Sequence, residues 1–200
     1  MNEPASPARV APRPDVTPSD FFENYLPGWF GAGVASSVTS PGSLVFHVGA
    51  ESYALRLITG KLEVTRGTAT DAILQVSLST PDFGELIRQA EPLFVSGASD
   101  RLLALRSLSL DAERAKTIRN VDGSVAFEIA EADLARTLLL SPGAAVAGGT
   151  PPACTVRLAA NDFWALSRGE RNPFELLMDG KIRMQGRMEV AMALSTVLVG

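Results

Sequence analysis

Asn161-Asp-Phe-Trp-Ala-Leu-Ser-Arg-Gly169, then Asn172-Pro-Phe-Glu-Leu-Leu-Met-Asp-Gly-Lys-Ile-Arg-Met-Gln-Gly186, then an apolar run to Val199, is the stretch whose reading decides the fold. Asn161 is placed to cap a short helix that stops at Gly169. Asn172 is placed to cap the next, with Pro173 at the first helical position and Glu175 three residues after the cap. Asp179-Gly180 makes a turn, and Lys181 to Gln185 alternates polar with apolar as a half-buried strand does. Gly186 ends that strand. Met188, Ala191, Met192, Ser195 and Leu198/Val199 then recur at helical spacing, so one stripe of a closing helix faces the protein.

Upstream the period is two. Leu44, Phe46 and Val48 alternate with Val45, His47 and Gly49, and Tyr53, Leu55 and Leu57 alternate with Ala54, Arg56 and Ile58. Gly60 to Gly67 and Ala72 to Leu78 add two more strands, for which an antiparallel meander is the simplest connection. Thr80-Pro81 opens a helix running through Ile87. A repeat is visible: Gly42–Val48 matches Gly123–Ile129 at an offset of 81, and Leu74–Leu78 matches Cys154–Leu158 at 80, with inward and outward parity kept. The reading is a tandem duplication with units at 19–120 and 121–200; one domain with a middle insertion competes with it. The first unit ends in an apolar element, Arg101–Leu110, and a polar helix, Asp111–Ile118. In the second, Ala130 to Leu140 has more helical than strand-like composition.

The first eighteen residues carry prolines at 4, 7, 12, 14 and 18 and read as a disordered tail that cannot form a packed core. Ser19 and Asp20 are placed to cap a helix over Phe21–Leu26, interrupted at Pro27-Gly28. Its aromatics Phe21, Phe22, Tyr25 and Trp29 dock on the core, the alternative being a membrane-touching anchor, which the absent basic face disfavours.

The C-terminal order of elements resembles the end of the sterol carrier protein 2 (SCP2) lipid-binding domain. The resemblance is carried by Asp162-Phe163, Gly169, Asn172-Pro173, Met178-x-Gly180-Lys181-Ile182, and Gly186 before an Ala/Leu-rich helix. The family usually has Asp after that second glycine where this chain has Arg187, which weakens the expected cap on the closing helix. The resemblance implies an apolar tunnel between sheet and helices for sterols, fatty acids or acyl-CoA. The fold expected is α/β in content, better called α+β: a mostly antiparallel twisted sheet with helices packed on one face.

Composition narrows the function classes. A chain of 200 residues, 46% hydrophobic, can bury a real core, and its net charge of −4 without a Lys/Arg run gives no footprint for nucleic acid. No run approaches the length of a membrane-spanning helix and no signal-peptide pattern opens the chain, so the expectation is a cytoplasmic protein with at most transient membrane contact. Oligomeric state is open. One cysteine excludes Cys-cluster metal sites, the only histidine lies on the opposite strand face from Phe46 and Val48, and the carboxylates are scattered. No phosphate- or dinucleotide-binding glycine motif is present. No catalytic residue, metal or cofactor is assigned, and an enzyme is not expected.

Methionine is uneven: apart from Met1, all of it, Met178, Met184, Met188 and Met192, falls between 178 and 192. Two readings stay open, ordinary core packing or the wall of a cavity that accepts apolar partners of varying shape. On the second, Phe163, Trp164, Phe174 and Leu177 form the rim. The expected function is non-catalytic binding and carriage or presentation of a hydrophobic lipid. The alternatives are a scaffold whose cavity is filled and an accessory subunit that presents a lipid to partner enzymes.

Overall fold

In a computed structural model of the chain, which describes residues 10–31, 38–96, 105, 107–131, 134–144, 151–168 and 170–199, the strands form one continuous sheet. They are β1 (Ser43–Val48), β2 (Glu51–Ile58), β3 (Lys61–Arg66), β4 (Ala72–Leu78), β5 (Val125–Glu131), β6 (Leu134–Pro142), β7 (Cys154–Ala159) and β8 (Arg183–Gly186). Their order is β3-β2-β1-β4-β6-β5-β7-β8, and every pairing is antiparallel except β1 with β4 and β5 with β7. The helices are α1 (Leu26–Gly31), α2 (Thr80–Ser96), α3 (Ala112–Arg119), α4 (Ala160–Ser167), α5 (Pro173–Met178) and α6 (Met188–Val199). Their buried residues join one large core with the inward residues of the strands. Among the described residues, no helix is long and apolar enough to cross a membrane.

The register repeats. Leu44 lies opposite Leu74, Phe46 opposite Val76 and Val48 opposite Leu78. In the second half Val125 lies opposite Cys154, Phe127 opposite Val156 and Ile129 opposite Leu158. In each half the leading strand has its hairpin partner on one side and a parallel strand on the other, and a helix follows that parallel strand. The strands β1–β4 and β5–β8 belong to a single sheet, joined where β4 pairs antiparallel with β6.

Two strand expectations change. The first four strands are not a meander, because β4 returns to the free edge of β1 instead of pairing with β3. The connection crosses the face opposite the helices, where Ala69 packs on Val45, Ala54 and Ala72. Only small side chains allow a chain to lie that close. Arg56 pairs with Asp71 at 3.0 Å, and the Ser43 hydroxyl donates to the Asp71 carboxylate at 2.8 Å, so the crossing is fixed by charge as well as fit. The segment Ala130 to Leu140, helical by composition, is a hairpin: Leu138, Thr137 and Arg136 face Phe127, Glu128 and Ile129. Pairing on both sides of β6 overrides its local preference.

At the N-terminal end Thr17, not Ser19 or Asp20, caps the leading helix. Its hydroxyl oxygen accepts from the Asp20 N–H at 3.1 Å, and Pro18 takes the first helical position. The helix passes through a π-helical stretch, Asp20–Tyr25, into α1 without stopping at Pro27. The Leu26 N–H donates five residues back to the Phe21 carbonyl, and this wider turn makes room for the proline ring. Phe21, Phe22, Trp29 and Phe30 are buried, and the Trp29 indole donates to the Phe94 carbonyl at 2.9 Å, so the segment docks on the core. Residues 10–18, expected within the tail, are tied to the fold: Pro12 is buried, Val16 packs on the core, and the Tyr25 hydroxyl donates to the Val10 carbonyl at 2.9 Å. Residues 1–9, Gly169 and most of 101–110 lie outside the described residues.

Two predictions follow from this packing. Tyr53 is fully buried, stacked on Phe22 at 4.7 Å, and donates to the Glu51 carboxylate. Burial, then the neighbouring Glu51, pushes its phenol up to about 12. Because the folded value lies above the unfolded one, the stabilisation is complete below about pH 10 and is lost as pH rises through about 12, a swing of roughly 2–3 kcal/mol. Urea midpoints measured from pH 8 to 12 should fall more steeply for the wild type than for Tyr53→Phe; parallel curves would refute this. At Gly186, φ is +98° and an added Cβ would sit 2.4 Å from the Ala153 carbonyl oxygen. Gly186→Ala should cost about 2 kcal/mol or more by chemical denaturation.

Candidate functional site

The second half of the sheet is roofed by α4, α5 and α6, and its sequence dictates how. The Asn172 side chain accepts from the Phe174 N–H at 2.8 Å and starts α5 at Pro173 as the cap pattern predicts. At its end the Leu176 carbonyl accepts from both Lys181 (2.9 Å) and Ile182 (3.2 Å), folding α5 back toward the sheet through Gly180 at φ +69°. The strand after this turn starts at Arg183, later than expected, because Lys181 and Ile182 are held by that carbonyl. Asn161 does not cap α4: the cap position is Ala159, with no side-chain bond, and β7 runs directly into the helix. Arg187, where the family usually has Asp, donates its backbone N–H to Ala153 at 2.7 Å and its guanidinium to Asp122 at 3.3 Å, which ties the start of α6 to the 122–123 corner.

Between sheet and roof lies a cavity of about 140 Å³. Its floor is inward strand residues, Val125 and Phe127 of β5, Leu140 of β6, Val156 and Leu158 of β7, and Met184 of β8. Its roof is Phe163 and Leu166 of α4, Phe174 and Leu177 of α5, and Met188, Ala191, Met192 and Leu194 of α6. The two hydroxyls in the wall donate to their own helices, Ser167 to the Phe163 carbonyl and Ser195 to the Met192 carbonyl, each at 2.9 Å. A wall of this kind offers an occupant dispersion contact and no charge. The mouth is apolar too, with Phe174 62%, Met188 49%, Met192 47% and Leu177 38% exposed.

Six of the eight residues expected at the site therefore line one space: Phe163, Phe174, Leu177, Met184, Met188 and Met192. Trp164 does not. It is buried one position round α4 and lines a neighbouring cavity of about 100 Å³ beneath the first half's helices. Met178 is 86% exposed and touches neither cavity, because the turn at Asp179-Gly180 carries it to the outer side of α5. The closing helix is rotated from the expected stripe, with Val190, Ala191 and Leu194 buried and Met188 and Met192 on the flank. The strand floor was not singled out from sequence, although the alternation at 125–129 and 154–158 marks those positions as inward.

Side chains with catalytic potential are dispersed. His47 Nδ1 is 2.8 Å from the Ser52 hydroxyl and its Nε2 is 2.8 Å from the Gln75 carbonyl oxygen, so both ring nitrogens are engaged on the sheet face opposite the helices. Cys154 is buried on β7, with β4, β6 and β5 between it and the His47 strand. Burial pushes its thiol up, and the charge of Glu189 adds to that. A neutral buried thiol is a poor nucleophile. Among the described residues, no group of three or more His, Cys, Asp or Glu side chains is arranged to hold a metal ion.

No curated protein matches the chain. Among solved structures it is similar to a sterol carrier protein 2-like protein from Aedes aegypti (20% identity, covering 50% of this chain and 96% of that one, TM-score 0.34). It is also similar to sterol carrier protein domain 2 of Helicoverpa armigera (23%, 54% and 85%, TM-score 0.37) and to sterol carrier protein 2 from Yarrowia lipolytica (19%, 40% and 75%, TM-score 0.34). Likenesses this distant carry no argument alone. The family assignment rests on a match between residues 100–199 and the SCP-2 sterol transfer family, half of the chain and the half that builds the cavity, and this chain belongs to that family.

Proposed function

We propose that this protein binds and carries, or presents, a hydrophobic lipid in the cavity under α4, α5 and α6, with no covalent step. The observation that carries the reading is the apolar space of about 140 Å³ opening through an exposed apolar rim. Family membership supports lipid binding or transfer in general. The driving force is partition: apolar surface removed from water returns about 25 cal/mol per Å². Phe163, Phe174, Leu177, Met184, Met188 and Met192 make the contact, and the methionines, unbranched and soft, adapt to chains of different shape. Release requires the roof to move. Helix α5, six residues hung between Asn172 and Gly180, is the natural moving part because its outward residues are exposed. An open space favours this reading over a scaffold with a filled cavity. The engaged His47 and the neutral, distant Cys154 support the absence of covalent chemistry.

The delipidated protein should bind a fluorescent fatty-acid or sterol probe at micromolar concentration. Met188→Leu and Met192→Leu should each cost less than about 1.5 kcal/mol of stability while shifting affinities for straight-chain and polycyclic ligands by unequal amounts. Met192→Trp, at a half-exposed rim position, should block binding in a folded protein. Unmodified protein that binds no such probe would remove this reading.

A further inference from the structure

The second cavity, about 100 Å³, lies against Phe22 of the leading helix, Phe46 of β1, and Phe83, Ile87, Ala90 and Phe94 of α2. Most of its lining precedes the segment that matches the family; Leu105, Leu138, Phe163, Trp164 and Ser167 lie within it. Its walls are rigid: Phe22 and Phe83 pack with ring centroids 5.8 Å apart, and Phe21 bridges Phe83 and Phe94 at 5.5 and 5.7 Å. Phe163 and Ser167 of α4 line both cavities, so the two spaces lie on opposite sides of one helix face. Phe163 is only partly buried, with its ring 6.5 Å from Phe127 and 5.3 Å from Trp164.

Size decides how these spaces are used. The larger, about 140 Å³, is close to the cavity of ~150 Å³ known to accept a single benzene. It is too small for a long acyl chain. A third pocket of about 30 Å³ also touches Phe163, with Arg136, Glu85 and Gln89 among its lining residues. That is room for about one or two waters and no lipid head group. The entry left is the apolar rim of the larger cavity.

We infer that the two cavities are compartments of one site divided by the Phe163 ring, and that the ligand is a single elongated, flexible hydrocarbon chain entering tail first. Its first methylenes fill the compartment under α6, and its tip passes Phe163 into the compartment under α2. A rigid polycycle cannot bend around the ring, so it gains no contact from the far compartment. The inference rests on the lipid-binding reading above and adds the ligand's shape and path.

The test is displacement of a fluorescent fatty acid from the delipidated full chain by octanoate and by palmitate, with thermal melting as the check on folding. A buried methylene is worth roughly fourfold in affinity. Ala90→Phe, which fills the far compartment, should therefore weaken palmitate at least about tenfold and leave octanoate within about twofold. Phe163→Ala, at a partly buried position, removes a contact that both acids make but opens the way past it, so the ratio of palmitate to octanoate affinity should rise severalfold. If Ala90→Phe does not fold, Phe163→Ala decides alone. Wild-type binding of both acids with the palmitate-to-octanoate affinity ratio unchanged in the folded variants overturns the two-compartment site and leaves the lipid reading standing. Wild-type protein that binds neither acid nor the probe overturns both.

Discussion

Everything functional depends on the antiparallel pairing of β4 with β6. Val76 faces Leu140 and Ser77 faces Leu139 across this seam, the Gly143 N–H donates to the Ile73 carbonyl at 2.9 Å, and buried Gln75 donates to the Gly143 carbonyl at 2.9 Å. Each half alone would end in an open strand edge at this point, a template for unwanted association. Joined there, the two edges cover one another. The helices that follow the parallel strands, α2 and α4, then share a cavity with Val76 and Leu78 of β4 and Leu138 of β6.

A charge cluster crosses the same seam. Arg136 of β6 reaches Glu131 at 3.3 Å, and reaches Asp82 and Glu85 of α2 at 3.8 and 3.9 Å. Arg88, then Gln89, holds the Glu85 carboxyl below its ordinary range despite partial burial. These are long, partly shielded pairs, and their worth is orientation more than stability. They hold α2 of one half over a strand of the other. Phe163 lines three spaces at once, the two larger cavities and the small pocket beside Arg136.

Much of this was legible from residues alone where the signal is local. Asn172-Pro173 fixed its helix start because a cap and a proline act within one turn. The repeat at 42–48 and 123–129 marked which residues face inward, since a period of two puts alternate side chains on one face, but not which strands pair. What was hidden is non-local. The return of β4 to β1 depends on Ala69, Ala54 and Val45 being small enough to pass, a relation among residues far apart in sequence. Leu134 to Leu140 reads as helix until β4 and β5 pair with it on either side. Trp164 could not be told from Phe163 by composition, because one step around a helix keeps Trp164 off the larger cavity that Phe163 lines.

The energetic argument for a binding site is that the space is costly. At about 24 cal/mol per Å³, an empty cavity of about 140 Å³ forgoes on the order of 3 kcal/mol of packing, and the one of about 100 Å³ forgoes about 2 more. That is a large share of the roughly 5–15 kcal/mol that separates folded from unfolded states. Ala191 and Ser195 on one wall and Ala90 on the other are small residues at positions where larger ones would recover part of it. The methionine cluster is arranged in the same sense, with Met188 and Met192 half in water at the mouth instead of deep in the core. A chain that had only to be stable would close these gaps and bury these side chains. On the proposed function, an occupant that brings its own apolar surface would restore both terms together and make the loaded protein the more stable form.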